Sequence, residues 1–274
     1  MLYIKLFTMF FFKNFILVFV LLLYINGFSQ NTISTRFVVP KNFVRQLNAK
    51  DSFGYFLQHL PLKPADEKVK YFNGNKKPNT AYIAVIDLNI GEKDLHQCAD
   101  AIMRLRGDFF YKNQNFNKIH FNFTNGFRVD FSKWIQGYRI ILRGNKTSWV
   151  KTAKPSSDYR TYWKYMEQIF QYAGTASLEK ELQKINVKNL NIGDVFIKGG
   201  FPGHAIIVVD VAENRNTGAK IFMLAQSYMP AQELQILRNN KNQSISPWYD
   251  LDFGKELVTP EWTFLPSQLK RFTE

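Results

Sequence analysis

The chain of 274 residues has one cysteine, Cys98, and only four histidines. One cysteine cannot form an internal disulfide, so the fold rests on burial and the thiol is left over. There is no His-Glu-x-x-His and no second His pair at ligand spacing, so the sequence calls for no metal and no cofactor. His96 and Asp100, one helical turn apart, come nearest to a metal pair, and a solvated helix face accounts for them better. His59 and His120 have no visible partners. There is no Gly-x-Ser-x-Gly elbow, which removes the usual serine-hydrolase signature. Internal repeats and low-complexity linkers are absent. A dense basic cluster is also absent, although the formal net charge is +14. Spread charge of this kind reads as solubility. It points away from nucleic acid and towards phospholipid head groups, surface polysaccharide or cell-wall polymers as anionic partners.

The first thirty residues are also poor in charge, with Lys5 and Lys13 alone before Arg36. Phe15 to Ile25 is an unbroken apolar run, and Asn26-Gly27-Phe28-Ser29-Gln30 places small residues at −3 and −1 of a cut after Ser29. These are the three regions of a secretory signal peptide. The run falls short of the about 20 residues that a membrane span needs. The alternative is an uncleaved anchor, since Phe10 to Phe12 could extend the run past Lys13. The reading is therefore a signal peptide over 1–29 and a single α+β domain over 30–274, exported to the periplasm or beyond. The mature form would not span a membrane and would keep a charge of +12, having lost two lysines. Its length is ample for a hydrophobic core.

What is abundant is aromatic and apolar residue in strand-like and helix-like spacing, with 26 Phe and 13 Tyr. The pattern predicts a helix ending near Leu60, a strand over Thr80 to Ile90, and a helix from an Asp94 N-cap to about Tyr111. Asn125-Gly126 predicts a hairpin over Lys118 to Phe131. A third strand follows over Trp134 to Leu142. Ser156-Ser157-Asp158 opens a helix to about Ala173, and Gly174 separates it from another over Ser177 to Ile185. Two strands carry Gly193 and His204. Asn214 to Gly218 turns the chain back into a strand over Lys220 to Ser227. The tail from Pro247 reads as loop with a last helical turn near Leu269, and the Asn48 to Asn79 region reads as an appendage. The fold class is α+β, mainly an antiparallel sheet packed against helices.

The chemistry concentrates on few residues. Leu95, Cys98, Ile102, Leu105 and Phe109 share one helix face. Cys98 is thus either a small buried hydrophobe or a thiol whose pKa the helix dipole lowers. From an Asp94 cap that dipole effect is already fading at Cys98. His204 opens a buried strand after Lys198-Gly199-Gly200-Phe201-Pro202-Gly203, which leaves it open to a substrate on its N-terminal side. His204, Ile206, Val208 and Asp210 fall on one strand face. The Asn214 turn brings Gln226 opposite Ile206 or His204, where its amide can hold the imidazole in one tautomer. A slip of one residue would put Ser227 or Ala225 there instead. Gly200, Gly203 and Tyr228 are the candidate substrate-binding residues. Thr175 and Ser177 read as helix-capping residues. Tyr159, Tyr162, Trp163 and Met166 lie at helical spacing and read as core. Asn122, Asn145 and Asn242 sit in Asn-x-Ser/Thr.

Two resemblances rest on quoted stretches. Asp94 to Arg106 (DLHQCADAIMRLR), Tyr172 to Glu181 (YAGTASLEKE), Gly193 to Val211 and Leu224 to Gln232 (LAQSYMPAQ) resemble a family of exported bacterial proteins known only as a domain of unknown function. That likeness implies no activity. Gly-Asp, an apolar strand, a glycine loop and His-Ala-Ile-Ile-Val resemble the core of papain-like cell-wall amidases and endopeptidases of the NlpC type. This second likeness implies a papain-like core with Cys98 as nucleophile, His204 as base and Gln226 as orienter. Ala99-Asp100 stands where that group has a small Ser-Gly pair, and more than a hundred residues separate Cys98 from His204. Two function classes follow. One is a cysteine hydrolase acting on an amide bond of a cell-envelope substrate, with a cell-wall, glycan or peptide ligand. The other is a non-catalytic periplasmic binding or envelope-assembly protein on a hydrolase-like scaffold.

Overall fold

The computed structural model describes residues 31–144 and 146–273. The expected signal peptide and Asn145 lie outside these residues. At the centre is a nine-stranded sheet in which every paired strand is antiparallel. Its main path runs Tyr82–Val85, Gln235–Leu237, Lys220–Gln226, His204–Asn214, Val195–Lys198, Leu269–Phe272, Leu182–Lys184. Phe43–Arg45 adds to the far end of the His204 strand, and Tyr249–Asp250 adds to the Lys220 strand. The described residues from Thr32 onward cluster as one compact unit.

The long strand from His204 explains why the sheet has two cores. Its side chains alternate across the sheet, and a strand covered on both faces reads as nearly continuous apolar sequence. Ala205, Ile207 and Val209 pack with Val195 and Ile197 against Ile102 and Leu105 of the Cys98–Lys112 helix and Leu57 of the Phe53–Gln58 helix. Ile206 and Val208 pack on the other face with Phe196, Leu224, Leu257 and Phe264. Each fully buried side chain of this size is worth about 1.5–3 kcal/mol of transfer free energy.

The register Leu224↔Val208 then Met223↔Asp210 leaves Val209 as an extra residue, a β-bulge. The bulge swaps the faces beyond it. Asp210 therefore does not share the His204 face as the simple alternation predicts. It turns to the helical side, where it accepts from Gln58 Nε2 at 2.7 Å and from Arg45 Nε at 2.7 Å.

The helices on the first face follow their local signals. Asp158 caps the Tyr159–Tyr172 helix by accepting from the Thr161 amide at 2.7 Å. Tyr162 and Met166 are buried as expected, whereas Tyr159 is exposed. The Asn125-Gly126 hairpin pairs His120–Asn122 with Arg128–Asp130. Ser177 is a capping residue, its hydroxyl accepting from the Gly174 amide at 3.0 Å in the Thr175–Glu181 helix.

Three expectations are corrected. The Asn48 to Asn79 region is no appendage, because the Phe53–Gln58 helix places Leu57 in the main core. The third strand begins only at Tyr138, after a short Phe131–Trp134 helix, and pairs with Lys146–Lys151. The tail has its last helical turn at Pro266–Gln268, just before Leu269, but otherwise holds strands where loop was expected: Leu269–Phe272 enters the main sheet, and Leu257–Val258 pairs with Thr263–Phe264. Leu269, Leu257 and Phe264 each bury completely against the second sheet face, which outweighs the proline-rich local sequence.

Candidate active site

The helix that carries Cys98 starts three residues later than its sequence suggests. Gln97 is the N-cap and Cys98 the first helical residue, because Asp100 reaches back to accept from the Gln97 amide at 3.0 Å. Asp94 is instead used elsewhere, accepting from the Ala231 amide at 2.7 Å. Cys98 is accordingly at the helix mouth and partly exposed, while Ile102 and Leu105 of the same stripe are buried in the core.

The helix packs on the His204 strand, and the Ala205 backbone amide meets the Cys98 sulfur, as do the amides of Cys98 and Ala99. Three amides favour a thiolate there. Burial of the sulfur and the neighbouring Asp100 carboxyl oppose them and push the thiol up to about 11. The dipole-lowered thiolate is therefore not the resting state.

His204 is 1 % exposed, so it is not open to solvent as the glycine loop suggests. The rings of Tyr228, Trp262 and Phe264 stand 4.7, 5.4 and 5.9 Å from the imidazole centroid. Burial pushes the imidazole down to about 4, against a hydrogen bond to Gln226 and the charge of Glu261. The Ala225↔Ile207 register brings Gln226 beside Ile206 on the His204 face. His204 Nε2 lies 2.9 Å from Gln226 Oε1, and Gln226 Nε2 donates to Glu261 Oε2 at 2.6 Å. Buried Lys77 donates to the same Glu261 oxygen at 2.7 Å. A carboxylate accepts and does not donate, so it fixes the amide with its NH₂ towards Glu261 and its oxygen towards the ring. His204 must then carry its proton on Nε2, which leaves the Nδ1 lone pair as the basic site.

Of the expected substrate residues, Tyr228 lies against His204, and burial first, then the charges of Glu261 and Cys98, push its phenol upward. Gly200 and Gly203 shape the loop before His204. Gly200 has φ +105°, a left-handed conformation suited to glycine. A Cβ on Gly203 would lie 2.5 Å from Thr175 Oγ1 and 2.4 Å from the Gly200 carbonyl oxygen, so that glycine is required by packing.

Sequence reasoning missed Glu261, Lys77 and Trp262. They lie far from the motif stretches, Glu261 and Trp262 on the tail read as loop and Lys77 in the region read as an appendage, and no spacing signals them. The solvated-face reading of His96 and Asp100 is also corrected. Both are buried, His96 with its ring edge-on to Phe170 and Asp100 as the helix-capping carboxyl. His59 does have a partner, stacking on Tyr55 at 3.7 Å. Among the described residues no group of three or more His, Cys, Asp or Glu could hold a metal ion, and no helix is long and apolar enough to cross a membrane.

Residues 33–271 match the family described as Domain of unknown function (4846). The chain belongs to that family. The match takes in all of the stretches that carried the first resemblance, and it spans both the Cys98 helix and the Glu261 segment. Neither a curated protein nor a solved structure matches the chain.

Proposed function

We propose that this member of the family is an exported cysteine hydrolase with a papain-like site, cleaving an amide bond of a cell-envelope substrate. The observation that supports this reading is the His204, Gln226, Glu261 chain of hydrogen bonds beside a thiol at a helix mouth that meets the amide of Ala205, the residue next to the imidazole. It is the nucleophile, base and orienter order of thiol hydrolases.

Thiol and imidazole both rest neutral, so the site works by general-base attack and not from a preformed ion pair. His204 Nδ1 takes the thiol proton as sulfur bonds to the carbonyl carbon and the π electrons move to oxygen. The amides of Cys98, Ala99 and Ala205, which meet the sulfur, are the donors available to that oxyanion. The C–N bond then breaks as the imidazolium returns its proton to the departing amine. Water, deprotonated by the same nitrogen, hydrolyses the thioester. Gln226, backed by Glu261, holds the Nε2 proton and stabilises the imidazolium in each half.

Export rests on the signal-peptide pattern of residues 1–29. The second reading, a binding or assembly protein of the envelope, is supported by the burial of His204 and the upward push on the Cys98 thiol. Cleavage of purified cell-wall peptide fragments, followed by mass spectrometry, separates the two. Release of free amine that disappears in both Cys98→Ala and His204→Ala is the expected result. No release of amine by wild type, with retention of uncleaved fragments, would favour the second reading; unchanged cleavage in Cys98→Ala would exclude Cys98 as the nucleophile.

A further inference from the structure

A separate concavity opens at the C-terminal end of the Thr175–Glu181 helix. Thr175, at the other end, bonds the Gly200 carbonyl at 3.2 Å beside the His204 loop. Seven helical residues rise about 10 Å, so the helix sets the two places apart. The concavity has a volume of about 600 Å³ and is lined by Arg106, Lys118, His120, Arg128, Lys180 and Glu181. That volume lies in the range of small-molecule sites, about 300–1,000 Å³.

The charge there is unbalanced. Arg128 pairs with Asp130 at 2.8 Å. Lys118 and Lys180 have no carboxylate partner among the described residues. Glu181, the one acid in the lining, accepts from the Asn122 amide at 2.8 Å, and burial raises its carboxyl to about 7, so at neutral pH it offsets only part of the positive charge. His120 Nδ1 is buried without a hydrogen-bond partner. The Arg106 guanidinium lies 4.4 Å from the Phe110 ring and 5.1 Å from Phe272, which fixes its plane. Phe110 and Phe272 also line the cavity, and Asn117 and Gln183 bring amides to its edge.

We propose that this concavity binds a phosphomonoester carried on a sugar-sized body. Two ammonium groups without a carboxylate partner, Lys118 lying 5.8 Å from the Phe110 ring, match a dianion better than a single carboxylate. The Arg106 guanidinium in the lining adds a further fixed positive charge. The volume left over exceeds a phosphate, and it offers ring faces for the apolar side of a sugar and amides for its hydroxyls. The site is independent of the thiol chemistry.

The test is isothermal titration of the purified full chain with glucose 6-phosphate, with glucose and inorganic phosphate as separate arms. Saturable binding of glucose 6-phosphate is expected, weaker binding of phosphate, and none of glucose. Lys118 and Lys180 are exposed, so the double variant Lys118→Gln/Lys180→Gln keeps the fold; it is expected to weaken binding at least tenfold and to flatten its salt dependence. Cys98→Ala should bind as wild type does, which keeps this result distinct from the hydrolase reading. No saturable binding by any arm, or equal binding by the double variant, overturns the proposal. Phosphate binding as tight as glucose 6-phosphate overturns its sugar half.

Discussion

Gln226 faces His204 with its oxygen and Glu261 with its nitrogen, at 2.9 and 2.6 Å. A neutral amide thus passes the orienting effect of a carboxylate to a buried imidazole. Gln226→Leu removes the acceptor and leaves a buried Nε2–H unpaired, which costs about 1–3 kcal/mol. Urea denaturation should show that loss. Glu261→Gln keeps an acceptor for Gln226 but leaves the buried Lys77 ammonium without its counter-charge, so it should cost about 3–5 kcal/mol, and it should lower any cleavage rate by freeing the Gln226 amide to flip.

The Cys98 thiol is held up near 11, so its thiolate fraction falls tenfold for each pH unit below that value. Iodoacetamide labelling should therefore climb steadily from pH 6 to 10 with no plateau below neutral. A plateau in the acid range that collapses in His204→Ala would show an ion pair and contradict the general-base scheme.

His204 and His96 are held down, to about 4 and about 3, in both cases first by burial. A depressed histidine contributes stability above its unfolded value, about 6.5, and that stability is lost as pH falls towards the folded value. The unfolded chain binds the extra protons, so unfolding free energy should drop between about pH 6.5 and 4 by roughly 2–3 kcal/mol per histidine. Denaturant midpoints across that window measure it. His96→Leu, at a site packed against Phe170, should remove about half of the slope.

Asp210, wholly buried beyond the bulge, is held by Arg45 and Gln58. Asp210→Ala strands the Arg45 guanidinium and the Gln58 amide, and should destabilise by about 3–5 kcal/mol, as removal of one partner of a buried pair does. Calorimetry should show a lower melting temperature without loss of the two-state transition.

Gly203→Ala forces a Cβ against Thr175 and the Gly200 carbonyl. The expected cost is about 1–3 kcal/mol, the range for overpacking. Gly203→Ala/Thr175→Gly should recover only part of it, because the carbonyl contact remains.

Much of the fold was legible because local rules govern it. Asn125-Gly126 fixed a hairpin, Asp158 a helix start, and the run from His204 a strand buried on two faces. Helix boundaries failed where a tertiary contact claimed the capping residue: Asp94 bonds Ala231, and so the Cys98 helix begins later. The Leu269 strand was missed because its β character comes from pairing with Phe196 and Lys184 and not from its own residues.

Of the candidate site, the sequence determined the chemistry available: one thiol, a histidine after a glycine loop, and an amide on the returning strand. Spacing alone carried Gln226 to His204, since antiparallel register is set by turn position. Only the tertiary structure decided the rest. It put the thiol at a helix mouth, buried the imidazole under Tyr228 and Trp262, and supplied Glu261 and Lys77 from segments far apart in the chain. Protonation states follow from those surroundings, because desolvation and neighbouring charge depend on what packs around a group and not on its place in the sequence.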